Sequence, residues 1–231
     1  MTPDLAKLRA DVLLANREIA KRGLARFTFG NASGVDRKSG RIVIKPSGVA
    51  YEALNVDTLV VTDLDGKLVE GGLRPSSDLA THAALYRAFP EIGGVVHTHS
   101  RFATVFAQAG KEIPCLGTTH ADHFHGPIPI TASMHPDAIA TEYEANTGAA
   151  IIARFANLDP GTMPAVLVAG HASFCWGATV RAALENASVL EEVARLAYYT
   201  ITLNAGVMEI SDALRDKHFL RKHGKERYYG Q

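Results

Sequence analysis

Apolar residues in the first part of the chain recur with helical spacing and then with strand spacing. From Leu5 to Ile19 they return every three or four residues, which predicts a helix that begins near Pro3 and ends before Gly23. The next two segments, RFTFGNASGVD and RIVIKPSGV, alternate with a period of two and close on small turn residues, which predicts strands.

The same pattern continues through the rest of the chain. A hairpin is predicted at 58–72, with its turn at Asp65-Gly66. Helices are predicted at 77–89, 100–110, 135–158 (mostly helical) and 179–203, and strands at 93–99 and 164–171. Because strands dominate the first half, we expect a three-layer α/β protein whose central sheet is mainly antiparallel. No linker or repeat divides the chain, so a single domain over 1–231 is predicted.

Composition and charge exclude several classes of partner. Lys+Arg and Asp+Glu are both 24, so no excess of positive charge indicates binding to nucleic acid or to an anionic membrane. The beginning of the chain does not have the pattern of a signal peptide, and no apolar run is long enough to cross a bilayer. Cys115 and Cys175 are far apart and are interpreted as reduced thiols, which predicts a cytoplasmic protein.

Three histidines near predicted strand ends form a candidate metal site. In GGVVHTHSR, His97 and His99 are two residues apart on an extended segment, so both side chains point to the same side. His171 follows the buried strand AVLVAGH and precedes ASFCWGA, which is interpreted as a loop. Three neutral imidazoles suit a catalytic Zn²⁺ or a similar divalent ion. Partly exposed histidines that bind no metal are an equally ordinary interpretation of each position.

Polar residues elsewhere in the chain could complete such a site. Asp78 stands at the start of a predicted helix, where it could be a metal ligand or a helix N-cap. The doublets Gly30-Asn31, Ser47-Gly48 and Ser76-Ser77 could bind a phosphate or form ordinary turns. Neither a G-x-x-x-x-G-K-[ST] motif nor a G-x-G-x-x-G motif after a strand is present, so neither a nucleoside triphosphate nor a nicotinamide cofactor is indicated.

Taken together, several segments resemble the class II (metal-dependent) sugar-phosphate aldolase and epimerase family. They are GNASGVD, IKPSGV, RPSSDLATH, GGVVHTHSRFATVFAQAG, GTTHAD and the ending DKHFLRKHGKERYYGQ. The resemblance implies a three-layer α/β/α, class II aldolase-like fold. It also implies a cyclic homotetramer with active sites between neighbouring subunits. The metal ligands that it implies are Asp78, His97, His99 and His171, with Zn²⁺ as the metal, although such a set also accepts Mn²⁺ or Co²⁺.

The resemblance also assigns substrate contacts and a proton-transfer pair. The implied substrate and phosphate contacts are Gly30, Asn31, Lys45, Ser47, Gly48, Ser76 and Ser77. The implied acid and base are Asp122 and Tyr229. In HADHFHG, His123 and His125 stand where enterobacterial members of the family have tyrosines, and imidazoles there could change the pKa of Asp122.

The reaction that the resemblance implies is inversion at C4 of a 2-ketopentose phosphate, interconverting L-ribulose 5-phosphate and D-xylulose 5-phosphate. C4–H is not acidic and no nicotinamide site is indicated, so the implied route is metal-assisted cleavage and re-formation of C3–C4. Two alternatives remain: an aldolase of the L-fuculose 1-phosphate type, and a metal-free scaffold like the adducin head. By the family pattern such aldolases carry glutamate at position 78, so Asp78 favours the epimerase. The source pathway, L-arabinose or L-ascorbate degradation, stays open.

Overall fold

The structure of the protein is a computed structural model that describes residues 3–229. At its centre lies a seven-stranded sheet in the order β4-β3-β2-β1-β5-β7-β6, in which each neighbouring pair of strands is antiparallel. The strands are β1 (Asn31–Asp36), β2 (Arg41–Ile44), β3 (Val60–Asp63), β4 (Leu68–Glu70), β5 (Gly94–Thr98), β6 (Ala165–Leu167) and β7 (Ser173–Gly177). The helices are α1 (Pro3–Lys21), α2 (Leu79–Ala88), α3 (Arg101–Ala109), α4 (Thr118–Ala121), α5 (Pro136–Ala140), α6 (Tyr143–Arg154), α7 (Val180–Leu203) and α8 (Asp212–His223).

Helices cover both faces of the sheet, as two successive residues of β1 show. The hydroxyl of Ser33 lies 2.8 Å from the hydroxyl of Tyr86 on α2. Gly34 faces the opposite side, where an added Cβ would lie 2.5 Å from Leu8 of α1 and 2.5 Å from Val180 of α7. Because neighbouring strand residues point to opposite faces, α2 and the α1–α7 pair form separate layers. The predicted three-layer α/β/α fold with an antiparallel sheet is therefore confirmed.

Most predicted helices are present, with changes at their ends. The predicted helix over 135–158 is divided into α5 and α6 around Thr141 and Glu142. The predicted strand at 26–36 begins only at Asn31. Phe27 and Gly30 have φ values of 55° and 86°, a left-handed conformation that a strand does not contain. Within the described residues no helix is long and apolar enough to cross a membrane, and Cys115 and Cys175 are buried and form no disulfide.

The prediction of a loop at ASFCWGA is wrong, because this segment forms β7. Its residues pair with β5, and His97 lies opposite Phe174. Ser173, Phe174, Cys175 and Trp176 are all buried, and a strand covered on both faces lacks the alternation of polar residues that identifies a half-exposed strand. His171 consequently lies in a tight turn between two strands rather than before a loop. Helices α4 and α8 were also not predicted.

Candidate metal and substrate site

The three predicted histidines meet at one end of the sheet. His97 lies near the end of β5, His99 follows that strand, and His171 lies in the β6–β7 turn. Their ring centroids are 4.9 to 5.0 Å apart. One ring nitrogen from each lies within 4.8 Å of the other two, and the Nε2 atoms of His99 and His171 are 3.1 Å apart. The antiparallel arrangement explains this meeting, since it brings the end of β5 beside the beginning of β7.

Hydrogen bonding and burial prepare these imidazoles to bind a cation. Nδ1 of His97 donates to the backbone carbonyl of Ser173 at 2.9 Å, so the proton is on Nδ1 and the lone pair is on Nε2. The ring also stacks on Phe174 at 4.3 Å. Burial lowers the pKa of His97 and His99, and it lowers the pKa of His171 to about 4. All three rings are therefore neutral near pH 7, as metal ligands must be.

Asp78 occupies the N-cap position of α2 but its side chain does not cap the helix. Its Oδ2 instead accepts a hydrogen bond from Nδ2 of Asn31 at 2.6 Å. Burial by itself would raise the pKa of this carboxyl group, but His97, His82 and the bond from Asn31 outweigh burial and lower the pKa. The side chain is thus an ionised carboxylate that lines the same pocket as the histidines, although it is not among the side chains whose ligand atoms lie within 4.8 Å of one another.

These donors fit a divalent cation. Three imidazole nitrogens converge within 4.8 Å of one another, and the half-buried carboxylate of Asp78 lines the same pocket. Oδ1 of Asn31 is buried, and no described residue hydrogen-bonds to it. Buried polar atoms are normally paired, so the unpaired Oδ1 is consistent with a site that accepts a ligand or water.

The predicted phosphate contacts line the same pocket as the histidines. We call it the histidine pocket; it has a volume of about 410 Å³, within the range of small-molecule sites. Its lining includes Gly30, Asn31, Lys45, Ser47, Gly48, Ser76, Ser77, Asp78, His97, His99 and His171. Backbone hydrogen bonds from Ser47 to Arg74 and from Ser76 to Lys45 hold the two serine-containing loops together. The structure therefore brings together every predicted metal and substrate contact.

Two features of this pocket explain its shape and charge. An added Cβ on Gly30 would lie 2.6 Å from the carbonyl oxygen of His97, so only glycine permits this close approach of the chain before β1 to β5. Lys45 is 2% exposed, its Nζ lies 5.2 Å from the centre of the Tyr51 ring, and burial lowers its pKa. A buried ammonium group beside two serine-containing loops suits an anionic ligand.

The predicted proton-transfer pair, Asp122 and Tyr229, lies outside the histidine pocket. Neither residue is among the described residues that line it. Asp122 ends α4 and is clamped by α8. Nε and Nη2 of Arg221 donate to its two oxygens at 3.1 and 2.9 Å, and Nδ1 of His218 lies 3.1 Å from Oδ1. Burial by itself would raise the pKa of Asp122, but Arg221 and His218 outweigh burial and lower it.

Arg221 also contacts the second member of the pair. Its guanidinium carbon lies 4.4 Å from the centre of the Tyr229 ring, and the backbone N–H of Tyr229 donates to the Arg221 carbonyl at 3.1 Å. Lys222 lies near both, 3.7 Å from Oδ2 of Asp122 and 5.3 Å from the Tyr229 ring. Asp122, His218, Arg221, Lys222 and Tyr229 thus form one group on one chain, which we call the Asp122 cluster.

The two unusual histidines do not hydrogen-bond to the Asp122 carboxylate. Nε2 of His123 lies 3.5 Å from Nζ of Lys222, and Nε2 of His125 lies 2.8 Å from Oδ1 of Asp216. The imidazole that contacts the carboxylate is His218. The expected influence of His123 and His125 on the pKa of Asp122 stays a prediction, because no hydrogen bond of the described residues joins either ring to that carboxylate.

Comparisons with known proteins identify the family. The family described as Class II Aldolase and Adducin N-terminal domain matches residues 10–198. A relative from Salmonella paratyphi A (strain ATCC 9150 / SARB42), named L-ribulose-5-phosphate 4-epimerase UlaF, is 52% identical over 227 residues, which cover 98% of this chain and 100% of the relative. A relative of the same name from Salmonella paratyphi C (strain RKS4594) is 51% identical over the same coverage. This chain belongs to the class II aldolase family.

Solved structures of class II aldolases have the same fold as this family member. An L-fuculose 1-phosphate aldolase superimposes with a TM-score of 0.77 at 22% identity, covering 94% of this chain and 95% of that one. The L-fuculose 1-phosphate aldolase from Glaciozyma antarctica PI12 gives a TM-score of 0.76 at 17% identity, covering 93% and 80%. At these identities the likeness concerns the fold.

Sequence reasoning missed three contributors to the sites. Tyr143 and Glu144 line the histidine pocket, and Arg221 holds Asp122. Nothing local to EYEAN marks its tyrosine as part of a pocket. In HFLRK, however, His218, Arg221 and Lys222 are three and four residues apart, so they share one helix face, and this basic face was a signal that a carboxylate lies opposite.

Proposed function

We propose that this class II aldolase family member is an L-ribulose-5-phosphate 4-epimerase that uses Zn²⁺ and interconverts L-ribulose 5-phosphate and D-xylulose 5-phosphate. The observation that carries the proposal is the histidine pocket, where three imidazoles and the Asp78 carboxylate adjoin a lysine and two serine-containing loops. Relatives named for this activity, aligned over nearly the whole chain, support the choice of substrate.

The chemistry explains why both parts of the pocket are needed. Inversion at C4 requires C3–C4 to break, which leaves a three-carbon enediolate and glycolaldehyde phosphate, and then to form again on the other face of the aldehyde. His97, His99, His171 and Asp78 would hold a divalent cation, whose Lewis acidity would stabilise the negative charge left on the C2 and C3 oxygens. Lys45 and the serine-containing loops hold the phosphate, so that the aldehyde turns without escaping.

Proton transfer requires one group on each face of the aldehyde. We assign these roles to Asp122 and Tyr229. Arg221 keeps the Asp122 carboxylate ionised, which suits a base that removes the C4 hydroxyl proton. The Tyr229 side chain is exposed and lies against two cations, Arg221 and Lys222, so its hydroxyl is free to face a substrate.

The location of the Asp122 cluster suggests how the subunits assemble. Because neither Asp122 nor Tyr229 lines the histidine pocket of its own chain, we propose that a neighbouring subunit supplies both residues within a cytoplasmic homotetramer. Their shared contacts with Arg221 indicate that one chain provides the pair.

The direct test is incubation of the purified protein with L-ribulose 5-phosphate, with D-xylulose 5-phosphate measured by a coupled enzyme and dihydroxyacetone by chromatography. We expect D-xylulose 5-phosphate and little free dihydroxyacetone. Release of dihydroxyacetone as the main product would instead identify an aldolase. Elemental analysis of the same sample distinguishes Zn²⁺ from Mn²⁺ and Co²⁺. An inactive protein without any bound metal would favour the alternative of a metal-free scaffold domain.

A further inference from the structure

The three pocket imidazoles are held in place by different means. His97 is part of β5, stacks on Phe174 and donates to the Ser173 carbonyl, so the sheet itself orients the ring. His171 lies instead in the turn between β6 and β7, next to Gly170, whose φ is 70°, so its ring is not held by a strand. Its Nδ1 lies 2.9 Å from the hydroxyl oxygen of Tyr143, a residue of helix α6.

Tyr143 is itself placed with little freedom. It is the first residue of α6, and the hydroxyl of Thr147 donates to its carbonyl at 2.8 Å. The hydroxyl of Thr81 on α2 donates to the carbonyl of the next residue, Glu144, at 2.6 Å. Helices α2 and α6 pack so closely that an added Cβ on Gly148 would lie 2.8 Å from Cβ of Ala84. Helix α2, which follows Asp78, therefore also fixes the tyrosine that touches His171.

A metal-ligating histidine normally donates its second N–H to an oxygen, which fixes both the tautomer and the ring orientation. His97 does so through a backbone carbonyl. The Tyr143 hydroxyl is the only oxygen that any hydrogen bond of the described residues places on the Nδ1 of His171. With the proton on Nδ1, the lone pair of His171 is on Nε2, the atom that lies 3.1 Å from Nε2 of His99.

We propose that Tyr143 is a positioning residue for His171: its hydroxyl oxygen accepts the Nδ1 proton and holds Nε2 toward the other two imidazoles. The inference rests on the proposed function in one respect, namely that the three histidines bind a divalent cation. Loss of such an outer contact typically weakens metal binding by about 10–100-fold.

The test measures Zn²⁺ affinity of the full-length metal-depleted protein by competition with a chromophoric chelator. Tyr143→Phe removes only the hydroxyl, and we expect its Kd for Zn²⁺ to rise by about 10–100-fold, with the unfolding transition of the metal-free protein unchanged. The matched control is Tyr199→Phe, an exposed tyrosine on α7, which should bind Zn²⁺ like the wild type. Unchanged affinity in Tyr143→Phe would overturn the inference.

A double-mutant cycle shows whether the tyrosine acts through His171. In a His171→Ala background the hydroxyl has no ring to orient, so adding Tyr143→Phe should cause no further loss of Zn²⁺ affinity. An equal loss in both backgrounds would refute the positioning role. A wild-type protein that binds no Zn²⁺, Mn²⁺ or Co²⁺ would refute the metal site of the proposed function itself. If the wild type binds metal and the Tyr143→Phe variant binds it equally well, only the positioning role of Tyr143 is refuted.

Discussion

The histidine pocket and the Asp122 cluster are built in contrasting ways. The pocket lies at the end of the sheet, where His97 is 2% exposed and held by its strand. The Asp122 cluster joins the four-residue helix α4 to the terminal helix α8, and ionic contacts hold it. The phenol of Tyr229 is 50% exposed, whereas the histidine pocket is a recess in the protein surface.

The contrast indicates that the two regions have different tasks. A cation needs ligands fixed in advance, and a sheet provides them. In the proposed assembly the Asp122 cluster faces another subunit, and a surface position lets its charged groups reach that subunit. A substitution in one region should therefore change the property that this region controls, metal binding or proton transfer, and leave the other property unchanged.

The largest effect is expected from His97→Asn, which removes a ligand from a strand that the sheet already fixes. We expect loss of stoichiometric metal and a fall in turnover of at least about 10⁴-fold, with a soluble folded protein. Elemental analysis and circular dichroism measure the two properties. Retention of stoichiometric metal in both His97→Asn and His99→Asn would show that these histidines are not ligands.

Asp122→Asn should lower turnover by about 10²–10⁴-fold, because the carboxamide cannot accept the C4 hydroxyl proton. Its metal content and its binding of substrate should stay those of the wild type, since the carboxamide keeps the shape of the carboxylate and none of the proposed metal or phosphate contacts is changed. Steady-state kinetics and metal analysis on one preparation test both statements. Wild-type turnover would assign Asp122 a structural role only.

A smaller effect is expected from Arg221→Met, which should lower turnover by about tenfold through loss of positioning. Burial favours a higher pKa for Asp122, and Arg221 is the main group that opposes burial, so the substitution should raise that pKa. The acidic limb of the kcat/KM profile should then move to higher pH. Arg215→Met is the matched control on the same helix, since Arg215 pairs with Asp212 and Asp216. Equal profiles for the two variants would contradict this account.

The smallest effect on activity is expected from His120→Gln, which acts on stability beside the Asp122 cluster. Burial lowers the pKa of His120 to about 4, below its unfolded value of about 6.5, so its contribution to stability is present above pH 6.5 and is lost as the pH falls toward 4. Between pH 7.5 and pH 5 this amounts to about 2 kcal/mol. Glutamine can still donate to the Gly126 carbonyl but does not titrate.

Urea unfolding at a fixed protein concentration measures this difference. The decrease in unfolding free energy between the two pH values should be smaller by about 2 kcal/mol in His120→Gln than in the wild type. An unchanged decrease would mean that another group controls acid sensitivity in this range.

The sequence predicted much of the fold because its elements follow regular hydrophobic periods. It failed at β7, where burial on both faces removes the alternation, and at α8, where few apolar residues are buried and charge carries the pattern. The histidine pocket was foreseeable because its residues stand in motifs. The Tyr143–His171 contact and the hydrogen bonds from Arg221 to Asp122 could not be foreseen. Each joins a helix to a residue far away in the chain, and no local pattern reports such a contact.

The central claim is that one chain supplies the metal ligands and its neighbour supplies both Asp122 and Tyr229. The most direct test mixes His97→Asn subunits with Asp122→Asn subunits after reversible dissociation, and compares the hybrids with mixtures of Asp122→Asn and Tyr229→Phe subunits. In a cyclic tetramer with random mixing, we expect the first pair to regain about a quarter of wild-type activity and the second pair to stay inactive. No recovery in verified hybrids of the first pair, or recovery in the second, would contradict the account.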